Sequence, residues 1–246
     1  MKLNKKIIAM TLVISCFGAN TMVARAADGG TYNSNAAITF EASTDITLPV
    51  DPENPGNPVS PVDPNGDLTT PGTAGPLSID FASSFNFGRQ VISTQDQTYY
   101  AVAQTVTLAD GVTTAERPNY VQVTDNRGTE AGWTLAVKQN GYFISTADST
   151  HDLAGAIITI NNINVTTASA SAVPSTVASS ILLNTSNKTV MTATDGEGAG
   201  TYIAKYGNNS TAASSVELSV PGSITKYAET YRTTLTWTLS DVPGVQ

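Results

Sequence analysis

Few residues in this sequence have the types and spacing that chemistry needs. His151 is the only histidine and stands in the turn-like run Ser149-Thr150-His151-Asp152. An imidazole beside a carboxylate can act as a general base, but no nucleophile is marked near it, and polar residues of this kind also build ordinary turns. Zinc needs three or four His, Cys or carboxylate ligands, and beside His151 there is a single cysteine, Cys16. Asp195-Gly196-Glu197-Gly198 sets two acids among glycines, yet lacks the ligand spacing of a calcium loop. Glycoside hydrolysis needs two carboxylates flanking a cleft, and no such pair is legible. No glycine-rich phosphate or dinucleotide signature occurs. The sequence therefore points to no catalytic residue, no metal and no cofactor.

The chain's two tryptophans carry more information. They stand in matching triplets, Trp133-Thr134-Leu135 and Trp237-Thr238-Leu239. In a strand, side chains alternate between faces, so each Trp shares a face with the Leu two residues on. Val137 extends the first face, and Tyr231, Thr233 and Leu235 precede Trp237 on the second. Two readings stand side by side. Alternation with threonine favours tryptophans in the core, both largely buried. A groove lined by the same rings would instead be a sugar-stacking platform.

The elements that must position these triplets read as strands. Hydrophobic residues make up 40% of the 246 residues and charged ones 13%. Thr, Ser, Ala and Val dominate, and β-branched residues suit a pleated, half-buried surface. Alternating segments lie at residues 77–82, 99–108, 120–124, 132–137, 156–160, 181–183, 189–192, 201–206, 216–220 and 231–239, divided by Gly, Asn, Asp and Pro clusters. Residues 166–178 read as a long polar loop. The pattern predicts an all-β fold, a β-sandwich-like or partly closed barrel of roughly ten strands.

Two further segments precede this body. Ile38 and Phe40 alternate within residues 37–42, which predicts a strand docked on the main sheet. Then Pro49, Pro52, Pro55, Pro58, Pro61 and Pro64 recur every third residue, matching the three-residue turn of polyproline II. The expectation is an extended, mobile insertion over residues 49–76, its first part about 50 Å long at ~3.1 Å per residue. The predicted layout is residues 1–26 as a signal peptide, 27–48 as an N-terminal strand, 49–76 as the insertion and 77–246 as the main body.

Lys2, Lys5 and Lys6 precede an apolar run from Ile7 to Ala19, and Ala24-Arg25-Ala26 offers small residues for signal peptidase. Cleavage after Ala26 would make this a secreted chain. The alternative is a lipoprotein signal, because Val13-Ile14-Ser15-Cys16 loosely fits a lipobox. Removal of the signal leaves 8 of the 12 basic residues against 20 acidic ones, a net charge of −12. Such a charge opposes nucleic acid and anionic lipid, and equally the phosphate-rich polymers of a Gram-positive wall. No sorting pentapeptide with apolar tail ends the sequence, so attachment to a wall is expected to be non-covalent.

The triplets and their surroundings resemble the WxL surface proteins of low-GC Gram-positive bacteria. Val121-Gln122-Val123-Thr124-Asp125-Asn126-Arg127-Gly128 precedes the first triplet as a V-x-D-x-R-G-like turn does in that family. The second lies in Leu235-Thr236-Trp237-Thr238-Leu239-Ser240-Asp241-Val242-Pro243, similar to the family's C-terminal signature. The resemblance covers nearly the whole chain after the signal, with no added adhesion module. It implies a cell-surface location and non-covalent binding to peptidoglycan through the domain, with Trp133, Leu135, Trp237 and Leu239 carried over from its motif as ligand-binding residues that could equally be core. It also implies cooperation with other surface proteins of the same gene cluster in adhesion or polysaccharide capture.

Overall fold

The computed structural model describes residues 29–64 and 69–242. The proposed secretion signal, residues 1–26, lies outside them. The chain divides into two units, residues 1–39 and 40–246. Within the first, the described residues 29–39 form no strand and are exposed.

The second unit is all-β, with 19 strands among the described residues and one short 3-10 turn at Ala212–Ser214. In the proline-rich region lie β1 (Val50–Asp51), β2 (Asn54–Pro58) and β3 (Ser60–Pro61). Next come β4 (Leu77–Ala82), β5 (Gln97–Tyr100), β6 (Gln104–Thr107), β7 (Thr114–Arg117), β8 (Tyr120–Asp125), β9 (Trp133–Gln139) and β10 (Ile144–Ser145). There follow β11 (Ile157–Asn161), β12 (Ile163–Thr166), β13 (Thr176–Val177), β14 (Ser180–Leu182), β15 (Lys188–Ala193) and β16 (Gly200–Tyr206). The last are β17 (Val216–Val220), β18 (Tyr231–Arg232) and β19 (Leu235–Ser240).

These strands pair antiparallel in small sheets, which corrects the expectation of a sandwich or barrel of ten strands. Three sheets have four strands, in the orders β14-β11-β17-β5, β12-β16-β8-β4 and β13-β15-β9-β19. A fourth is β3-β6-β7, and two-stranded pairs β1-β2 and β10-β18 complete the set. None closes on itself, and four sheets of three or four strands are nearer to the blades of a propeller than to two broad layers. Two runs read as single strands are broken: residues 99–108 at Ala101–Ala103, and residues 231–239 at Thr233–Thr234. The supposed polar loop contributes β12 and β13 at its ends.

The main apolar core draws on the three four-stranded sheets. Val121 and Val123 of β8, Leu135 of β9, Ile158 and Ile160 of β11, Met191 of β15, Tyr202 of β16 and Val216 of β17 all belong to it. Their alternation explains the choice of sheet over helix, because every second residue can turn inward only at period two. Among the described residues no helix is long and apolar enough to cross a membrane.

The proline-rich segment is not the mobile spacer its periodicity predicts. β1 turns back on β2, with Val50 opposite Pro58 and Asp51 opposite Asn54, and β3 pairs with β6. Val59 and Pro61 are buried. Charges override the polyproline tendency here. Arg117 Nε and Nη2 donate to the Asp51 carboxylate at 2.7 Å each, and Lys205 Nζ donates to Glu53 at 2.8 Å. Prolines are tolerated because β1–β3 lie at sheet edges, where a missing N–H leaves no ladder bond unmade. Residues 37–42 run the other way: they form no strand, and Ile38 and Phe40 are 77% and 86% exposed.

Candidate functional site

The two tryptophan triplets are neighbours across one sheet. β9 and β19 pair in unbroken register, with Leu239 opposite Leu135, Thr238 opposite Ala136 and Trp237 opposite Val137. Directly opposed residues share a face, so Trp133, Leu135, Val137, Leu235, Trp237 and Leu239 all turn the same way. β15 on the far side of β9 adds Met191 opposite Leu135 and Ala193 opposite Trp133. One hundred residues of intervening chain thus bring the two motifs together in a single apolar patch.

Their exposures differ. Trp133 and Leu135 are completely buried. Trp237 and Leu239 pack on the same core but remain partly exposed, because β19 is the last strand of its sheet and, among the described residues, no strand pairs with its outer side. Both tryptophans were expected to be largely buried: Trp133 is completely so, and Trp237 is packed on the core with part of its surface exposed. A glycan cannot stack on Trp133, which has no accessible face.

Trp133 is also anchored by its polar edge. Its Nε1–H donates to the Gly198 carbonyl at 3.0 Å, and its ring lies 6.2 Å from that of Tyr202, tilted by 55°. The Tyr202 hydroxyl donates to the Ser171 carbonyl at 2.8 Å. Gly198 has φ +79°, and a Cβ there would come within 2.6 Å of both Trp133 Nε1 and Ala193 Cβ. Only glycine fits. The Asp195-Gly196-Glu197-Gly198 run, read from sequence as a weak calcium candidate, is therefore the seat of Trp133. The Glu197 carboxylate is occupied with the backbone N–H groups of Ser175 and Thr194, each 2.9 Å away. Burial opposes ionisation of Glu197, but these N–H donors hold its pKa below the usual carboxylate value.

The V-x-D-x-R-G-like turn has a comparable task. Asp125 is buried, and Arg127 grips it with Nε at 2.9 Å and Nη2 at 2.8 Å. The same Nη2 reaches the Gly132 carbonyl at 2.7 Å, immediately before Trp133. Gly128 and Gly132 have φ of +72° and +76°, which lets the chain fold back around the guanidinium. The turn is a clasp that fixes where β9 begins.

His151 does not form a pair with Asp152. Asp152 accepts from the Ala154 N–H, whereas His151 Nδ1 lies 3.0 Å from Glu229 Oε2 and Nε2 lies 3.7 Å from Asp148. Its ring stacks on Tyr227 at 3.7 Å and 11°. Ser145 Oγ donates to the same Glu229 oxygen at 2.6 Å. The carboxylate thus stands between hydroxyl and imidazole, so His151 meets Ser145 only through Glu229. The cluster ties the β10 region to the approach to β18. Glu229 lies 78 residues from His151, and nothing in the local sequence announced it. A second unannounced carboxylate is Asp80, buried among Ser78, Gln122 and Thr124 donors, with burial raising its pKa above the ordinary value.

The fold and the paired triplets define an all-β domain with a buried tryptophan at the centre of one sheet. A family model described as "WxL domain surface cell wall-binding" matches residues 27–243, and the chain belongs to that family. Comparisons with curated proteins and with solved structures found no match.

Proposed function

We propose that this chain is exported, loses residues 1–26, and attaches non-covalently to the cell wall by binding peptidoglycan. The observation that carries the reading is the match to a wall-binding family across residues 27–243, which starts one residue after the proposed cleavage point. The net charge of −12 after cleavage supports peptidoglycan, with its neutral sugars, over the anionic wall polymers. The role is binding and not catalysis. Within the motif, Trp133 and Leu135 support the fold from inside, and any contact outward falls to Trp237 and Leu239.

A second reading makes the chain a subunit of a surface complex, retained on the wall by other proteins of its gene cluster. The partly exposed apolar strip along β19 favours it. Purified protein mixed with bare peptidoglycan separates the two. Sedimentation with the glycan in the absence of other proteins is expected of a wall-binding module, and failure to sediment would leave the subunit reading.

A further inference from the structure

We propose that residues 36–42 of one copy add as a strand to the free edge of β19 in a second copy, joining chains head to tail. Two unsatisfied surfaces on the same chain carry this inference.

The first is the donor. In extended conformation Ala36, Ile38, Phe40 and Ala42 share one face, and Ala37, Thr39 and Glu41 the other. That is the pattern of a half-buried strand, yet residues 37–42 are in no strand, and Ile38 and Phe40 are exposed. The segment is no appended tail, because the family match begins at residue 27 and includes it. A strand-patterned piece of the domain is thus left without a sheet.

The second is the acceptor. Natural proteins guard sheet edges by keeping them short, charged, bulged or interrupted by proline. Most edges here obey that rule. β7 carries Glu116 and Arg117; β5, β12, β13 and β14 have four residues or fewer. β4 has six residues but contains Asp80 and a bulge between Ile79 and Phe81, and Thr73 N–H already bonds its Ile79 carbonyl. β19, Leu-Thr-Trp-Thr-Leu-Ser, also has six residues, with no charge, proline, glycine or bulge. Among the described residues none pairs with its outer edge. Its Leu235, Trp237 and Leu239 are half-covered on the inward face. One added strand carrying Ile38 and Phe40 on that face would cover them and complete the sheet, in the manner of β-augmentation. Donor and acceptor are different surfaces, so the contact is heterologous and can repeat without closing.

The added strand would cover the same Trp237 and Leu239 to which outward wall contact is assigned, so the test reads association between chains without wall present. The protein used lacks residues 1–26 and with them Cys16, the one cysteine of the sequence, so that introduced thiols alone can react. A Thr39→Cys chain is mixed with a size-tagged Thr238→Cys chain under mild oxidation, with Thr236→Cys and Ser240→Cys as neighbouring registers. Thr39, Thr236, Thr238 and Ser240 all point to the side away from the apolar face. The expected result is a disulfide between the two differently sized chains. Mass measured by light scattering should rise with concentration, and Ile38→Lys with Phe40→Lys should hold the protein as a monomer. Because both residues are exposed, that variant should still fold and bind wall as the monomer does. A mass independent of concentration up to the solubility limit would overturn the proposal. So would association that survives the two lysines. A Thr39→Cys/Thr238→Cys double variant that cross-links within a single dilute chain would show that the segment closes its own sheet instead.

Discussion

Truncating the two motif tryptophans in parallel separates their roles. Trp133→Ala removes a ring with no exposed surface, from a site walled by Ala193, Gly198 and Tyr202. Emptying such a site costs about 3–5 kcal/mol. The Gly198 carbonyl also loses its donor, which adds about 1 kcal/mol unless water enters the space. Trp237→Ala removes a ring that is already partly in solvent, on an edge strand, so less burial is at stake and no closed cavity forms, roughly 2–3 kcal/mol. The gap of about 2–3 kcal/mol corresponds to a difference in melting temperature on the order of 5–10 °C for a domain of this size. Urea unfolding followed by circular dichroism measures it, and each variant retains the other tryptophan as a fluorescent probe. Equal losses in the two variants would refute the division into inner anchor and edge residue. Wild-type stability in Trp133→Ala would refute the account of the core.

Arg127→Ala leaves the buried Asp125 carboxylate without its cation and is expected to cost about 3 kcal/mol, measured by the same urea titration. Gly198→Ala forces a Cβ into Trp133 and a side chain into positive φ, so thermal melts should show it to be more destabilising than Gly196→Ala, whose Cβ meets open space. Burial alone would raise the pKa of Asp51, but Arg117 and the backbone N–H groups of Glu53 and Asn54 bring it below the ordinary 3.8. A carboxylate so lowered stabilises the fold fully above 3.8 and loses that contribution as pH falls through its folded value. Asp51→Asn should therefore be less stable than wild type at neutral pH, with the difference narrowing in urea titrations below pH 3.8.

What the sequence made legible was the part governed by period-two burial. β4 and β17 fall where alternation and flanking turns place them, and β8, β9 and β16 differ by a residue or two at their ends. The pairing of the strands was hidden, because register depends on contacts between residues far apart in the chain, as Leu135 and Leu239 are. Residues 49–64 misled because proline spacing is a local signal, whereas the segment is held by Arg117 and Lys205, 66 and 152 positions from their partners. Residues 37–42 misled in the opposite direction, since a strand pattern says what a segment can pair with and not whether a partner is at hand. Within the candidate site, the triplets and the Asp125–Gly128 turn were visible as motifs. The role of Gly198 was not, because a glycine needed for close approach looks like any loop glycine until the tryptophan is seen against it.

The central claim is that this WxL chain binds peptidoglycan itself. Walls are prepared intact and after chemical removal of teichoic acid, and the protein lacking residues 1–26 is sedimented with each at low and moderate salt. Stripped walls should retain the protein at least as well as intact ones. Salt should weaken binding little, because a mostly neutral glycan offers few charges to screen, and denaturant alone should release the bound protein. Loss of binding on stripping would contradict the account and make the anionic wall polymer the ligand.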